Sequence, residues 1–99
     1  MSKIKNPYIV KILNVSTGHL SFPESETLTH EANEGNAPVY DIRESGWIVY
    51  TGDPDENWQD VKMSEQFFKI LKAAGALECS YVWFDRDGNH YEEFETFDW

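Results

Sequence analysis

The chain has 99 residues, with eighteen acidic against eight basic side chains, three histidines and one cysteine, for a formal net charge of −10. Aromatic residues make up 15% of it, so the charge rides on a chain able to pack a core and is no mark of disorder. This balance argues against direct nucleic-acid binding, and a lone cysteine excludes an internal disulfide.

The length predicts a single domain over residues 1–99 with its own core, and Cys79, beside the apolar run Tyr81 to Phe84, reads as a buried thiol of a reducing compartment, the cytoplasm. The apolar run from Tyr8 to Val15 is broken by Lys11 and Asn14 and is too short for a signal peptide or a membrane span. Charge is unevenly placed. Residues 1–20 hold Lys3, Lys5 and Lys11 and no acid, giving +3, whereas residues 21–99 carry −13. The acids are densest at Asp53, Asp55, Glu56 and Asp60, and again at Asp85, Asp87, Glu92, Glu93, Glu95 and Asp98 against Arg86. These two stretches dominate the surface field.

In chain order, Tyr8 to Val15 is rich in β-branched and apolar residues and predicts a central strand. A turn follows at Ser16, Thr17 and Gly18. Ser21, Pro23, Glu24 and Glu26 announce a helix that Gly35 stops, with Leu28 and Ala32 on its apolar stripe. Val39 to Arg43 and Trp47 to Thr51 read as a hairpin around Glu44, Ser45 and Gly46. Residues 52–57 read as a polar loop. Phe67, Ile70, Leu71, Ala74 and Leu77 recur at helical spacing, with Ser64 or Asp60 as cap and Gly75 as left-handed terminator. A strand from Cys79 to Phe84, a turn at residues 85–89 with Gly88 free to take positive φ, and a last strand from His90 to Phe97 complete the chain. The order β-α-β-β-α-β-β predicts an α+β fold: a ferredoxin-like β-α-β-β-α-β unit with an extra C-terminal strand, its antiparallel sheet carrying two helices on one face. The other face is then open to a partner.

Several patterns bear on chemistry. Asp53-Pro-Asp55-Glu-Asn57 and Asp85-Arg-Asp87-Gly-Asn89 both spell D-x-D-x-N, the opening of a calcium loop, but Trp58 takes the required glycine position and Ser64 or Thr96 the place of the bidentate acid. A solvated turn needs the same residues. His19, His30 and His90 lack metal-ligand spacing, so no metal and no cofactor is expected. Cys79 among acidic neighbours has no cause to ionise, and Glu93 and Glu95, two apart on the expected strand, lack a third group to separate their roles. No phosphate-cradling glycine loop occurs. Most aromatics read as core, while Trp58, standing in the acidic loop, is either an exposed interface anchor or a cover for the second helix.

Three stretches carry a likeness: Val15-Ser-Thr-Gly-His-Leu20, Gly46-Trp-Ile-Val-Tyr50, and Tyr81-Val-Trp-Phe-Asp-Arg-Asp-Gly88 running to Phe97-Asp-Trp99. Together they resemble a group of small uncharacterised bacterial proteins of plasmids, phages and other mobile elements, with a Ser-Thr-x-His-Leu segment after the first strand and a terminal Asp-Trp. Gly18 stands where that pattern has alanine. The resemblance covers most of the chain and implies a mobile-element origin; it brings no catalytic residues.

Three functions compete. The first is an acidic inhibitor of the anti-CRISPR or antirestriction type, a DNA mimic occupying the basic nucleic-acid-binding surface of a host defence complex. Duplex DNA presents a charge per about 1.7 Å, a spacing that carboxylates can imitate. Asp53, Asp55, Glu56, Trp58, Asp60, Glu92, Glu93, Glu95 and Asp98 are its candidate contacts. The second is a general protein-interaction module, monomer or homodimer, using the open sheet face or an edge strand. The third is an enzyme or small-ligand binder built on the Ser16–His19 turn, where a hydroxyl and an imidazole leave a strand together.

Overall fold

The computed structural model describes residues 3–99. Its elements are β1 (Ile12–Ser16), a 3-10 turn (Thr17–His19), α1 (Phe22–Glu34), β2 (Val39–Asp41), a second 3-10 turn (Arg43–Ser45), β3 (Trp47–Tyr50), the short α2 (Pro54–Asn57), α3 (Glu65–Ala76) and β4 (Tyr81–Asp85).

The two long helices begin at serines. The Ser21 hydroxyl accepts from the Glu24 amide, and Glu24 Oε1 accepts in return from the Ser21 amide at 3.1 Å, a reciprocal cap. Glu24 is buried, and its second oxygen accepts from the Ser64 amide at 2.9 Å. One carboxylate thus joins the starts of α1 and α3, in charge-assisted bonds stronger than neutral ones. Ser64, and not Asp60, caps α3 by accepting from the Phe67 amide. Gly35 ends α1 as expected.

The end of α3 departs from expectation. Gly75 lies within the helix, and the left-handed residue is Glu78, with φ of 65°. The Glu78 amide donates to the Gly75 carbonyl and the Cys79 amide to the Ala74 carbonyl, both at 2.9 Å, which is the Schellman pattern with glutamate where glycine is usual. Burial of Ala74 and Cys79 sets that stopping point, so the backbone takes the strain at Glu78.

The four strands form one mixed sheet in the order β1-β4-β3-β2. The β2–β3 hairpin and the β3–β4 pair are antiparallel, but β1 runs parallel to β4 in the register Ile12 with Tyr81 to Ser16 with Asp85. The fold is therefore α+β, without the fully antiparallel ferredoxin-like sheet. β4, apolar on alternate residues toward the core, takes a central place between β1 and β3 and leaves β1 at an edge. Both long helices cover the same face: Phe67 of α3 stacks on Phe84 at 5.9 Å, and the neighbouring Trp47 donates its indole N–H to Thr29 of α1 at 3.2 Å. Val15, Val39, Val49, Val82, Leu28, Ile70, Leu71 and Ala74 complete that core.

Other expectations are corrected here. β1 begins at Ile12, leaving Tyr8 and Ile9 91% and 80% exposed, because β4 starts at Tyr81, after the Glu78 reversal, and behind it the Ser80 amide reaches no further back than the Lys11 carbonyl. Residues 90–97 form no strand; Tyr91, Phe94 and Phe97 turn inward every third residue, a spacing that a pleated strand cannot use. Residues 54–57 are helical. Gly88 takes no positive φ, but its lack of a side chain matters: a Cβ there would lie 2.8 Å from the Val15 carbonyl group.

Gly46 is the glycine whose conformation is irreplaceable, with φ of 102° and space for a Cβ only 1.8 Å from the Phe84 carbonyl oxygen. Gly46→Ala is expected to cost about 3 kcal/mol in urea unfolding. Glu78→Gly relieves left-handed strain and is expected to gain about 0.5 kcal/mol, after allowance for the greater freedom of glycine in the unfolded chain.

Candidate functional site

After β4 the chain has no ladder to satisfy its backbone, and side chains of the body take over that task. Asn14 leads. Its side-chain oxygen accepts from the Asn89 amide at 2.9 Å, its amide nitrogen donates to Asp85, and its carbonyl accepts from the Tyr91 hydroxyl at 2.7 Å. His19 is 1% exposed and carries more. The Tyr91 amide donates to His19 Nε2 at 2.9 Å, so that nitrogen bears no proton; Nδ1–H therefore donates to the Glu95 carbonyl at 2.8 Å. Gln66 on α3 donates to the His19 and Glu95 carbonyls and accepts from the Glu95 amide at 2.6 Å. The Phe97 amide then donates to the Gly18 carbonyl, and the Trp99 indole to the Leu20 carbonyl, each at 2.7 Å. Residues 90–99 are thus a strap laid across the start of α3 and the Thr17–His19 turn.

This geometry decides what the Ser16–His19 turn can do. The Ser16 hydroxyl accepts from the Gly18 amide, and both imidazole nitrogens of His19 are engaged with backbone groups. The imidazole of His19 thus has no free nitrogen to offer a substrate in this arrangement.

The strap brings acids from distant parts of the sequence together. An open groove of about 820 Å³ runs between α3 and the strap, lined by Asp55, Glu65, Gln66, Phe68, Lys69, Lys72, Glu93 and Glu95. Asp55, Glu93 and Glu95, three of the nine expected contact residues, meet there. Lys72 pairs with Asp55 at 3.3 Å. Lys69 donates to the main-chain carbonyl of Glu93 at 3.1 Å and lies 5.6 Å from the Phe94 ring centre, so it holds the strap through backbone and ring and forms no ion pair with the Glu93 carboxylate. Among the described residues the other contact between a carboxylate and a basic group is His30 with Glu34 at 3.3 Å.

The remaining candidates are dispersed. Glu56 and Asp60 border a smaller hollow with Glu31, and Asp53, with φ of 43°, starts α2. Glu92 and Asp98 are exposed on the strap. Trp58 is corrected: it is 1% exposed and packs edge-on against Phe67 at 4.8 Å, covering the core, so it offers no surface to a partner. The two D-x-D-x-N stretches serve their own turns, Asn57 donating to the Gly52 carbonyl and Asp85 accepting from the Asp87 amide. Among the described residues no three His, Cys, Asp or Glu side chains are grouped as a metal ion would need. Nor is any helix among them long and apolar enough to cross a membrane.

Residues 12–99 match the family model described as "Family of unknown function (DUF5983) C-terminal domain". The chain belongs to this family. No curated protein matches it, and no solved structure does. The DUF5983 segment takes in every strand and helix and the whole strap, and residues 3–11 precede it.

Lys69, Lys72, Glu65 and Gln66 were not anticipated as groove residues. Their signal lay in the polar face of the α3 pattern, which says that a residue is exposed but not what lies across from it. His19→Ala is expected to destabilise the domain by about 3 kcal/mol, from two lost backbone bonds and a buried void. Amide hydrogen exchange at Tyr91 and Glu95 should rise far more than at Val82.

Proposed function

We propose that this domain is an acidic protein-binding inhibitor encoded by a mobile element, which occupies a basic, nucleic-acid-binding surface of a host defence complex in the manner of anti-CRISPR or antirestriction proteins. The observation that carries the reading is the strap. It holds Glu92, Glu93, Glu95 and Asp98 exposed and without a contacting cation among the described residues, while its backbone is tied to His19, Gln66 and Gly18.

Carboxylates carried on a tied backbone differ from those of a flexible acidic tail. A tail loses conformational freedom when it binds, whereas a strap already ordered spends little of its interaction energy on ordering. Lysines and arginines that bind phosphates are compatible with such a row, and the gain is electrostatic and falls with added salt. Lys69 and Lys72 line the groove together with Asp55, Glu65, Glu93 and Glu95, so the groove keeps an excess of acid, and Glu92 and Asp98 extend that charge along the strap. The partner's basic surface then engages Glu92, Glu93, Glu95 and Asp98 first, with Asp55 at the margin.

The test is charge reversal. Glu93→Lys, Glu95→Lys and Asp98→Lys combined are expected to lower affinity for a basic partner recovered from host lysate at least about tenfold near 0.15 M salt, with an unchanged circular dichroism spectrum. Binding that survives the triple reversal at that salt would sink the mimicry reading.

A further inference from the structure

The hydrogen bonds that hold the middle of the strap can be made by one charge state of His19 only. Nε2 accepts from the Tyr91 amide at 2.9 Å while Nδ1–H donates to the Glu95 carbonyl at 2.8 Å. A neutral imidazole supplies one acceptor and one donor, whereas an imidazolium supplies two donors and no acceptor. A proton added at Nε2 therefore sets N–H against N–H at Tyr91. The ring is 1% exposed, so the added charge would also be buried, and both costs vanish once the strap lifts and the ring meets solvent. The strap can lift by itself. Residues 86–99 contain no strand or helix, and neither the sheet pairings nor the serine caps of α1 and α3 pass through the ring.

We propose that His19 is a pH-sensitive latch: uptake of a proton at Nε2 releases residues 90–99 from the body while the sheet and helices stay folded. The closed strap holds one proton fewer at this site than the open one. Closure is therefore fully favoured above the range in which a free imidazole titrates, about pH 6.5, and is lost progressively as the pH falls below it. His90 on the strap is exposed and stands edge-on at 5.5 Å, so its own protonation puts a like charge beside the ring and adds to the release. On α3, Gln66 is neutral, and Glu65 and Lys69 line the neighbouring groove with Glu95, Lys69 lying over the Phe94 ring. Glu24 at the start of α1 is held by Ser21 and Ser64, the Tyr91 hydroxyl by the Asn14 carbonyl, and Arg86 borders a hollow at Thr17 and Gly18. The carboxylates of Glu24, Glu65 and Glu95 favour a cation, but none of them pairs with the ring among the described residues, and only an acceptor at Nε2 would replace what Tyr91 loses. Carboxylates ordinarily titrate near about pH 4, and phenols, lysine and arginine at about pH 10 or above, so between about pH 7.5 and 5.5 the histidines are the groups that change charge.

The experiment is amide hydrogen exchange of the intact chain, corrected for the intrinsic effect of pH. Protection at Tyr91 and Glu95 is expected to fall about tenfold from about pH 7.5 to about pH 5.5, with Val82 more protected than either throughout. His90→Gln should keep most of that fall, and His19→Gln, which places an amide oxygen where Nε2 accepts, should abolish it. In the parent chain, imidazole nitrogen shifts should show a cationic His19 ring only in step with the loss of Tyr91 protection. A cationic ring with Tyr91 still protected would overturn the proposal. So would protection that stays flat over this range, a fall that disappears in His90→Gln, or a Val82 amide no better protected than Tyr91. No partner enters this test, so its failure leaves the inhibitor reading standing; that acid weakens binding to a basic partner, by unfastening the backbone under Glu92, Glu93, Glu95 and Asp98, is a consequence that rests on that reading.

Discussion

A buried imidazole that must accept at one nitrogen and donate at the other holds the last ten residues to the body. His19 can do this because the Ser16 hydroxyl closes a single 3-10 turn at the end of β1, which swings the ring inward while Leu20 enters the core. The strap has no ladder of its own, and each buried amide or carbonyl left unpaired would cost about 1–3 kcal/mol. His19, Gln66 and Asn14 remove that cost at Tyr91, Glu95 and Asn89. Phe94 and Tyr91 then pack around the His19 ring, at 5.6 and 6.3 Å between ring centres, so apolar contact and hydrogen bonding point to the same path.

The same constraint arranges the electrostatics. An acidic segment without fixed geometry spreads its charge over many conformations, whereas the strap places Glu93 and Glu95 on one side of a groove and Glu65 and Asp55 on others. Lys69 uses its hydrogen bond on a main-chain carbonyl. Glu24 shows the opposite use of a carboxylate: buried, it spends its oxygens on the starts of α1 and α3 and ties the two helices together. Acid on this chain therefore has two separate jobs, one internal and structural, the other turned toward solvent.

Much of the fold was legible in the sequence, and the failures share a cause. Serine caps, the apolar stripe of α3 and the hairpin around Gly46 are local signals, and they locate the starts of α1 and α3 and the β2–β3 hairpin, though not the end of α3. The position of β1 in the sheet was not local. A continuous apolar run reads as a central strand, yet half of it is exposed, because burial depends on where β4 begins and that follows from the reversal at Glu78. The strap failed for a related reason. Its aromatic residues recur every third position, a spacing that fits neither a strand nor a long helix, and the side chains that hold it lie 24 to 76 residues away in sequence. The acidic candidates were chosen by composition, which could not tell Trp58 in the core from Glu93 on the groove.

The most direct measurement is the tautomer of His19, read from its imidazole nitrogen shifts and from coupling across the hydrogen bond to the Tyr91 amide in a nitrogen-labelled sample. A strap held as described requires a proton on Nδ1, none on Nε2, and a resolved coupling from Tyr91. A ring protonated on Nε2, or one averaging between both forms, would contradict the strap and with it the ordered backbone that carries Glu92, Glu93, Glu95 and Asp98.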